Sequence, residues 1–505
     1  MAKICLCLTA KTLGGNLQIL EKYRKHVDIV ELRVDCLDHD EKLLIRRFPE
    51  QANVPVILTI RRDIDGGHFV SGEGMRVNLM ARGLAYADVD KRKNFAYIDL
   101  EDDMHVPSIE EAARTFGTRI IRSYHNIKGD EDNLPARIRS MSHSADEIIK
   151  VGITAKSTSD VLNLLRAGRE LNKREKIIVA IGHYGVYSRI LAEQFGSLLS
   201  YTSPASEKDA VQAAPGQLDP EVLTRVYRFR SITTATKIYG TAGYPLSFTG
   251  NPLFFNSVFE MENIDAVYMP FPVDSITACM ELASELGIEG LSVTTPYKES
   301  IVPFLNEQTP DVQKTGACNT LNRHPQGWMG ANTESRAFAD ALAEFLGKQN
   351  PKRIRATVIG AGALAKSVAS ELHRVGAKAL LLNRTVRKAR ALAIPYKFAW
   401  GGLDSQGIES MGKYCDLVIQ TTPAGTEEGD FCDPVEHYGF TGREKVMDLV
   451  YRRKMTPFLK RAADAGCQIQ NGREMFMRQA KYQYAQFVGR EFPEHLLPKI
   501  QFGED

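Results

Sequence analysis

The stretch RATVIGAGALAKSVASELHRVGA, residues 355–377, contains a strand, a glycine turn and a helix in direct succession. Gly360 and Gly362 let the backbone turn tightly and approach a pyrophosphate at the N-terminus of the following helix. Glycine turns are common, so the G-x-G-x-x-A pattern counts only because of this strand–turn–helix context. Further strand patterns follow at 378–384, 415–423 and 445–451. We predict a Rossmann-type domain over 336–479.

The end of the next strand is basic where NAD-binding domains usually place an acid for the ribose 2′-hydroxyl. Asn383-Arg384-Thr385 is followed by Arg387 and Lys388. This favours a 2′-phosphate, and therefore NADP; a solvated basic helix start is the alternative. The predicted cofactor-binding residues are Gly360, Gly362, Ala363, Asn383, Arg384, Thr385, Arg387 and Thr422.

The first 205 residues repeat one rhythm, in which a short apolar run ends in polar residues and a helical pattern usually follows. Eight units of this kind predict a (β/α)₈ barrel in this part of the chain. An open doubly wound sheet is the alternative. The runs lie at 3–10, 27–35, 55–62, 95–101, 119–125, 147–155, 176–182 and 198–203.

Barrels carry their chemistry at the C-terminal ends of the strands, and here those ends are polar. Glu31, Arg33, Arg61, Glu101 and His125 close successive runs, and Lys150 lies inside the sixth. A buried ion pair explains any one such group, but that explanation weakens when nearly every strand end carries one.

His125 and Lys150 belong to adjacent strands and can share one substrate. Desolvation in an apolar strand should lower the pKa of Lys150 and leave an amine able to form a Schiff base with a ketone. His125 can shuttle a proton, and arginines suit a carboxylate. A polyhydroxylated keto-acid fits this combination; the alternative is a salt-bridged core lysine.

Composition excludes several classes of protein. The chain has 505 residues, 43% hydrophobic and 25% charged, with 64 Lys and Arg against 62 Asp and Glu. These values are typical of globular proteins and predict no nucleic-acid or membrane partner. Eight cysteines are too few for a disulfide scaffold, so we interpret Cys5 and Cys7 as core thiols. We also predict a cytoplasmic location; a transit peptide removed from the sequence is the alternative. No metal site is apparent.

Residues 1–228 resemble type I 3-dehydroquinate dehydratases, which implies a (β/α)₈ barrel over this range. The motifs are ELRVD (31–35), TIRR with DGG (59–67), SYH (123–125), IIKV (148–151), SRI (188–190) and APGQ (214–217). The resemblance implies that Lys150 forms the Schiff base and that His125 is the general acid/base. It also implies that Glu31, Arg33, Arg61, Arg189 and Gln217 bind the substrate. The family often has Ser where Ala213 stands, and its loss threatens affinity more than activity.

Residues 237–505 resemble shikimate dehydrogenases. The motifs are SVTTPYKE (292–299), TGACNT (315–320), GANTE (330–334), NRT (383–385), QTTPAG (420–425), MDLVY (447–451) and NGREMFMRQA (471–480). The resemblance implies a substrate domain over 237–335, completed by C-terminal helices at about 480–505. Lys298 would transfer the proton, paired with the carboxylate of Glu334. The implied substrate-binding residues are Thr249, Asn251, Thr294, Asn319, Tyr451 and Gln479.

Several positions depart from this second family. Thr249 and Asn251 replace serines, Ser292 replaces Asn, and Glu334 replaces Asp. The extra methylene of Glu334 moves its carboxylate, and a misplacement of ~1 Å can cost ~10²-fold in rate. Either the backbone compensates, or this half is slow, or its substrate differs.

The leading hypothesis is a bifunctional enzyme that dehydrates 3-dehydroquinate and then reduces 3-dehydroshikimate to shikimate with NADPH. One alternative keeps only the dehydratase active, with a regulatory or structural NADP-binding second half. Another has the second half also using quinate. We expect no cofactor beyond NADP and only small-molecule substrates as partners.

Overall fold

The computed structural model describes residues 1–85, 88–129, 133–141, 144–171, 174–205, 212–246, 250–425, 432–451 and 453–500. The chain divides into two compact units. Unit 1 comprises Met1–Pro252 and Asn256–Ile288, and unit 2 comprises Leu253–Phe255 and Glu289–Asp505. The domain boundaries predicted from the sequence stay a prediction. The division into compact units groups residues 237–252 and 256–288 with the barrel, and not with the rest of the predicted substrate domain.

Among the described residues up to position 225, eight strands alternate with eight helices. The strands are β1 (Lys3–Leu8), β2 (Ile29–Arg33), β3 (Val56–Thr59), β4 (Tyr97–Glu101), β5 (Arg119–Asn126), β6 (Ile148–Thr154), β7 (Lys176–Ile181) and β8 (Leu199–Thr202). The helices are α1 (Leu13–Tyr23), α2 (Phe48–Ala52), α3 (Glu73–Leu84), α4 (Pro107–Phe116), α5 (Leu134–Ser140), α6 (Thr158–Glu170), α7 (Val186–Ile190) and α8 (Pro220–Arg225).

The eight strands form one parallel sheet in the order β7-β6-β5-β4-β3-β2-β1-β8. A parallel bridge between Lys176 and Ser197 brings the two ends of the sheet together. The predicted (β/α)₈ barrel is confirmed.

Apolar side chains fill the barrel, because both faces of its parallel strands are buried. Alternate residues such as Cys5, Ile29, Ile57 and Ile121 pack into one central cluster. Cys5 and Cys7 are buried free thiols, as predicted. The polar strand ends therefore stand out against an apolar interior.

Two parallel strands with their helices follow the barrel in unit 1. These are β9 (Lys237–Gly243), α9 (Asn251–Met261), β10 (Ala266–Pro272) and α10 (Ile276–Glu285). The side chain of Asn256 on α9 bonds both the N–H and the carbonyl of Tyr268, at 2.7 and 2.8 Å. This amide fixes the helix against β10.

Unit 2 begins with a mixed sheet. Its elements are β11 (Ile288–Val293), β12 (Glu307–Gln308), α11 (Pro310–Thr315), β13 (Thr320–His324), β14 (Gly327–Ala331) and α12 (Thr333–Leu346). β13 pairs antiparallel with both β11 and β14, and β12 pairs parallel with β14. The antiparallel pairing places the end of β11 beside the start of β13.

A parallel sheet forms the rest of unit 2. Its order, β17-β16-β15-β18-β19-β20, is the 3-2-1-4-5-6 order of Rossmann domains, so that predicted fold is confirmed. The strands are β15 (Arg355–Ile359), β16 (Lys378–Leu382), β17 (Ala399–Gly401), β18 (Leu417–Gln420), β19 (Lys445–Asp448) and β20 (Gln468–Gln470). The helices are α13 (Ala363–Arg374), α14 (Val386–Ala393), α15 (Ser405–Met411), α16 (Pro457–Asp464) and α17 (Arg473–Val488).

Among the described residues, no helix combines the length and the apolar character that a bilayer crossing requires. The cytoplasmic location stays a prediction.

Candidate active sites

The barrel contains a cavity of about 400 Å³ at the C-terminal ends of its strands. This size suits a small molecule with several polar groups. Side chains from β2, β3, β5, β6 and α7 line the cavity, together with the segment 213–217. The structure brings together all seven residues predicted for this site, Glu31, Arg33, Arg61, His125, Lys150, Arg189 and Gln217.

The ammonium group of Lys150 lies among acidic and aromatic groups. Its Nζ donates to Asp99 Oδ2 at 2.8 Å and lies 3.4 Å from Glu31 Oε1. The ring of Tyr201 lies 4.4 Å from the same nitrogen. Lys150 is 6% exposed, so this cluster holds the amine at the cavity wall and away from bulk water.

The predicted lowering of the pKa of Lys150 is wrong. Burial does act to lower this pKa, but the carboxylates of Asp99 and Glu31 outweigh burial, so the pKa is raised. The prediction considered only the apolar strand of Lys150, whereas Asp99 reaches the amine from β4. The amine is therefore protonated at neutral pH and must lose a proton before it can act as a nucleophile.

His125 lies on β5, directly opposite Gly152 of β6. A Cβ at Gly152 would lie 3.1 Å from the imidazole Cδ2, so the glycine leaves room for the ring. Burial lowers the pKa of His125 well below its ordinary value, and the cations of Arg61 and Lys150 lower it further. The imidazole is thus neutral at pH 7. Its buried Nδ1 has no hydrogen-bond partner in the described part of the chain.

Arg189 on α7 is a buried cation with unused donors. Its Nη2 approaches the carbonyl of Pro215 at 3.4 Å, while Nε and Nη1 lack partners among the described residues. Burial lowers the pKa of Arg189 to about 10, so the side chain stays charged at neutral pH. A buried charge is costly unless it is paired, and the guanidinium fork matches a carboxylate. The arrangement therefore fits a substrate carboxylate.

Gln217 and Ala213 lie on the loop that lines the same cavity. Gln217 Nε2 approaches Cys7 Sγ at 3.3 Å, and its buried Oε1 has no partner among the described residues. That oxygen can accept a hydrogen bond from a substrate hydroxyl. Ala213 contributes only a methyl group to the wall.

Arg33 and Arg61 are each paired with carboxylates in the site. Arg33 contacts Asp35 at 2.7 Å, and Arg61 contacts Asp99 at 2.8 Å and Glu101 at 2.7 Å. Burial alone would raise the pKa of Asp99, but the cations of Arg61 and Lys150 hold it well below its usual range. The substrate contacts expected of Arg33 and Arg61 stay a prediction.

The sequence reasoning missed Asp99 and Tyr201 as parts of this site. Asp99 had a signal, because FAYIDLE (95–101) carries acids at 99 and 101 that point to one side of a strand. Tyr201 in LLSYTS (198–203) had none, since an aromatic residue in a buried strand is usually core.

In unit 2, Lys298 pairs with Glu334. The Lys298 Nζ lies 2.5 Å from Glu334 Oε1, and both side chains are 11% exposed. Lys298 follows β11, where its carbonyl accepts from the N–H of Cys318, and Glu334 lies in the first turn of α12. The longer side chain of Glu334 therefore still reaches the lysine.

Asn319 stands between Lys298 and Glu334 in the sequence. Hydrogen bonds within unit 2 hold its side chain. Its Oδ1 accepts from the N–H and the hydroxyl of Thr333, at 2.8 and 3.1 Å, and from the hydroxyl of Thr320 at 3.0 Å. Its buried Nδ2 has no partner among the described residues. The amide nitrogen is thus available to donate to a ligand, as the predicted substrate contact requires.

Three further predicted contacts of unit 2 stay predictions. Thr294 and Gln479 are half-buried, and Tyr451 stacks on Phe476 with ring centroids 4.6 Å apart. The glutamine that reaches the Asn319 network is Gln483, one turn further along α17, whose Nε2 donates to Thr320 Oγ1 at 3.2 Å. Sequence reasoning missed it because the NGREMFMRQA motif ends at residue 480.

The glycine turn has the backbone that a phosphate site needs. Gly360 has φ +114, and a Cβ there would lie 2.3 Å from Thr421 Oγ1. Gly362 precedes Ala363, the first residue of α13, without a side-chain cap, and a Cβ at Gly362 would meet nothing within 4 Å. The helix N-terminus therefore lies open to an anion. Thr422, half-buried after β18, donates its N–H to Gln420.

The end of β16 carries exposed cations. Asn383 donates from Nδ2 to the carbonyl of Thr385 at 3.0 Å, which shapes the turn into α14. Arg384 and Arg387 are exposed, and no carboxylate in the described part of the chain pairs with either. Their charges are therefore free for a phosphate.

Asn251 lies in unit 1. Asn251 Nδ2 approaches Thr241 Oγ1 at 3.3 Å and Tyr268 Oη at 3.4 Å, so its amide belongs to a buried polar cluster. Its substrate contact stays a prediction. Thr249 lies outside the described residues.

Together, the two folds and their sites are those of an enzyme that joins a barrel, with a buried lysine in its cavity, to a nucleotide-binding Rossmann domain.

Comparison with known proteins identifies both parts. Residues 4–234 match the type I 3-dehydroquinase model, residues 241–321 the shikimate dehydrogenase substrate binding domain, and residues 342–427 the shikimate / quinate 5-dehydrogenase model. The chain therefore belongs to the shikimate dehydrogenase family and carries a type I 3-dehydroquinase domain before it. It is a bifunctional enzyme of the shikimate pathway, as predicted.

Relatives with both parts cover nearly the whole chain. The chain is 28% identical to the chloroplastic bifunctional 3-dehydroquinate dehydratase/shikimate dehydrogenase of Arabidopsis thaliana, over 98% of this chain and 84% of that protein. It is 27% identical to the shikimate biosynthesis protein AroDE of Chlamydia pneumoniae, over 98% and 96%. It is 34% identical to shikimate dehydrogenase (NADP(+)) of Caldanaerobacter subterraneus subsp. tengcongensis, over 54% and 99%.

Proposed function

We propose that the barrel dehydrates 3-dehydroquinate to 3-dehydroshikimate and that the second site reduces this product to shikimate with NADPH. The observation that carries the proposal is the barrel cavity, which is lined by a buried lysine, a neutral histidine and a buried arginine without an ion pair among the described residues. These are the nucleophile, the proton carrier and the anion anchor that dehydration of a keto-acid needs.

In the barrel, Arg189 and Gln217 bind the substrate carboxylate and a hydroxyl. Lys150 then gives up a proton, and His125 is the better acceptor because Asp99 is held ionised by Arg61. The Lys150 nitrogen forms a bond to the ketone carbon, and the ketone oxygen leaves as water, taking one proton from the amine and one from His125, which becomes neutral again. The iminium makes the α-proton acidic, His125 removes it, and the β-hydroxyl leaves as water with a proton that His125 returns. Hydrolysis of the C–N bond frees Lys150.

In the second site, Lys298 donates a proton to the carbonyl oxygen of the substrate as it becomes a hydroxyl. Glu334 orients the Lys298 ammonium, and the Nδ2 of Asn319 donates to the substrate. When bound, NADPH supplies the hydride. The open N-terminus of α13 suits its pyrophosphate, and Arg384 and Arg387 suit its 2′-phosphate. Relatives named for NADP(+) support this choice of cofactor. The ion pair of Lys298 supports an active second site rather than a regulatory module.

A single reaction tests both halves. Purified protein is mixed with 3-dehydroquinate and NADPH, and the enone and NADPH absorbances are followed together. We expect NADPH to disappear in step with the substrate, and NADH to be used more slowly. Accumulation of the enone with constant NADPH would contradict the second activity, and no change in either signal would contradict the first.

We expect Ala213→Ser to lower the KM for 3-dehydroquinate by about 2–10-fold, because a hydroxyl at the cavity wall adds one hydrogen bond worth about 0.5–1.5 kcal/mol. Initial rates of enone formation measure this change. Ala136→Ser on α5 is the matched control, since Ala136 does not line the cavity. An unchanged or higher KM for Ala213→Ser would show that the serine of the family has no partner here.

A further inference from the structure

We propose that Phe271 on β10 and Tyr244, the residue that follows β9, are positioning residues for Arg189 in the dehydratase site. This inference rests on the proposed function of the barrel. It assigns part of the dehydratase site to residues that match the shikimate dehydrogenase substrate binding domain, at 241–321.

The helix α7, which carries Arg189, contacts the cavity with one side chain and β10 with another. α7 is only five residues long, and four of them are buried: Tyr187, Ser188, Arg189 and Ile190. Arg189 lines the cavity, whereas Tyr187 packs on Phe271 of β10 with ring centroids 5.3 Å apart. Tyr187 is 0% and Phe271 1% exposed. A helix this short has little stability of its own, so its packing fixes its position.

A second contact fixes the turn before this helix. Tyr184 stacks on Tyr244, which follows β9, with ring centroids 5.5 Å apart and an angle of 11°. The ring of His183 packs edge-on against Tyr244 at 5.5 Å. Both residues belong to the turn His183–Gly185 that joins β7 to α7.

Gly182, which directly precedes this turn, contacts the loop that lines the dehydratase cavity. The N–H of Gly182 donates to the carbonyl of Pro215 at 3.0 Å, and a Cβ on Gly216 would lie 2.5 Å from the oxygen of Gly182. Gly182 itself lines the cavity. A displacement of the turn would therefore move the loop that carries Gln217 as well as the helix that carries Arg189.

Polar contacts hold the strand pair to the barrel nearby. Asp274, after β10, accepts from the N–H of Thr158 at 2.9 Å and from its hydroxyl at 2.6 Å, at the start of α6. Glu285 at the end of α10 pairs with Arg166 at 3.0 Å and also with Arg169. The compact unit that contains the barrel includes these residues as well.

The position of the Arg189 side chain depends on the packing of α7. The side chain has two donors without partners among the described residues, so no ion pair of its own holds the guanidinium in place. Its position depends on the backbone of α7, and α7 depends on Phe271 and Tyr244. Loss of that support should weaken binding of the substrate carboxylate more than it affects the chemistry at Lys150.

Phe271→Leu in the full chain tests the proposal. We expect the dehydratase KM for 3-dehydroquinate, measured by enone formation without NADPH, to rise about 5–10-fold while kcat stays within about 2-fold. Phe259→Leu is the control, because Phe259 is 0% exposed and packs on Tyr239 instead of α7. Equal effects of the two variants, or a fall in kcat with unchanged KM, would overturn the proposal.

Tyr244→Ala provides a second variant that keeps the core intact, since Tyr244 is 42% exposed. We expect a KM rise of about 3-fold that Tyr244→Phe does not show, because the phenylalanine keeps the stacked ring. Phe271→Leu should add no further KM rise to Arg189→Ala, because coupled residues are not additive. Full additivity would overturn the proposal. A wild-type protein without dehydratase activity would instead contradict the proposed function itself.

Discussion

Lys150→Met is expected to abolish dehydration, with a loss on the order of 10⁴-fold or more in kcat/KM. The variant keeps the length of the side chain but has no amine to attack the ketone, so no iminium forms and the α-proton stays weakly acidic. Reduction of added 3-dehydroshikimate with NADPH should be unchanged, since Lys298 and Glu334 lie in unit 2. Enone formation measures the first activity, and NADPH oxidation measures the second.

Lys176→Met is the matched control for this experiment. Lys176 is also a buried lysine on a barrel strand, 7% exposed, but its Nζ donates to the carbonyl of Gly168 and it does not line the cavity. Borohydride with the dehydration product should add a stable mass to the wild type and to Lys176→Met, but not to Lys150→Met. A folded Lys150→Met protein that dehydrates at the wild-type rate would exclude the Schiff-base mechanism.

The fold was largely predictable because its determinants are local. Eight apolar runs with polar ends, and one strand–glycine–helix segment, specify a barrel and a Rossmann domain through period and turn chemistry. The polar strand ends of the cavity were predictable for the same reason, since parallel strands end at one edge. Arg189 and Gln217 came only from the resemblance, and Tyr201 was missed. What the sequence could not supply was the electrostatics of Lys150 on β6, because Asp99 reaches it from β4, across the intervening strand β5.

In the second site as well, the sequence patterns did not reveal a contact between residues that lie far apart in the chain. Gln483 on α17 bonds to the hydrogen-bond network of Asn319, although the two residues are more than 160 positions apart in the sequence. Gln483 lies outside the motifs that resemble the family. The packing of Tyr187 on Phe271 also joins parts of the chain that local patterns treat as separate. Such contacts depend on tertiary geometry, which composition and spacing do not encode.

Lys298→Met is expected to lower the reduction of 3-dehydroshikimate by about 10³-fold, because a general acid contributes 10²–10⁴-fold to such a step. Dehydration should continue at its normal rate. The measurement is NADPH oxidation with 3-dehydroshikimate supplied directly. Lys366→Met is a control on a half-buried lysine of the same unit, which pairs with Glu299 and not with Glu334. Comparable losses in the two variants would argue against a special role for Lys298.

The variant Glu334→Asp tests whether the glutamate, which stands where the shikimate dehydrogenase family has aspartate, supports the reduction or slows it. In this chain the glutamate already reaches Lys298, with 2.5 Å between Oε1 and Nζ. An aspartate would be one methylene short on the same helix turn, and a misplacement of ~1 Å can cost ~10²-fold. We therefore expect kcat for reduction to fall by about 10–10²-fold, with little change in the KM for NADPH. A faster Glu334→Asp enzyme would mean that the glutamate slows this half and that the backbone of α12 has not adjusted to it.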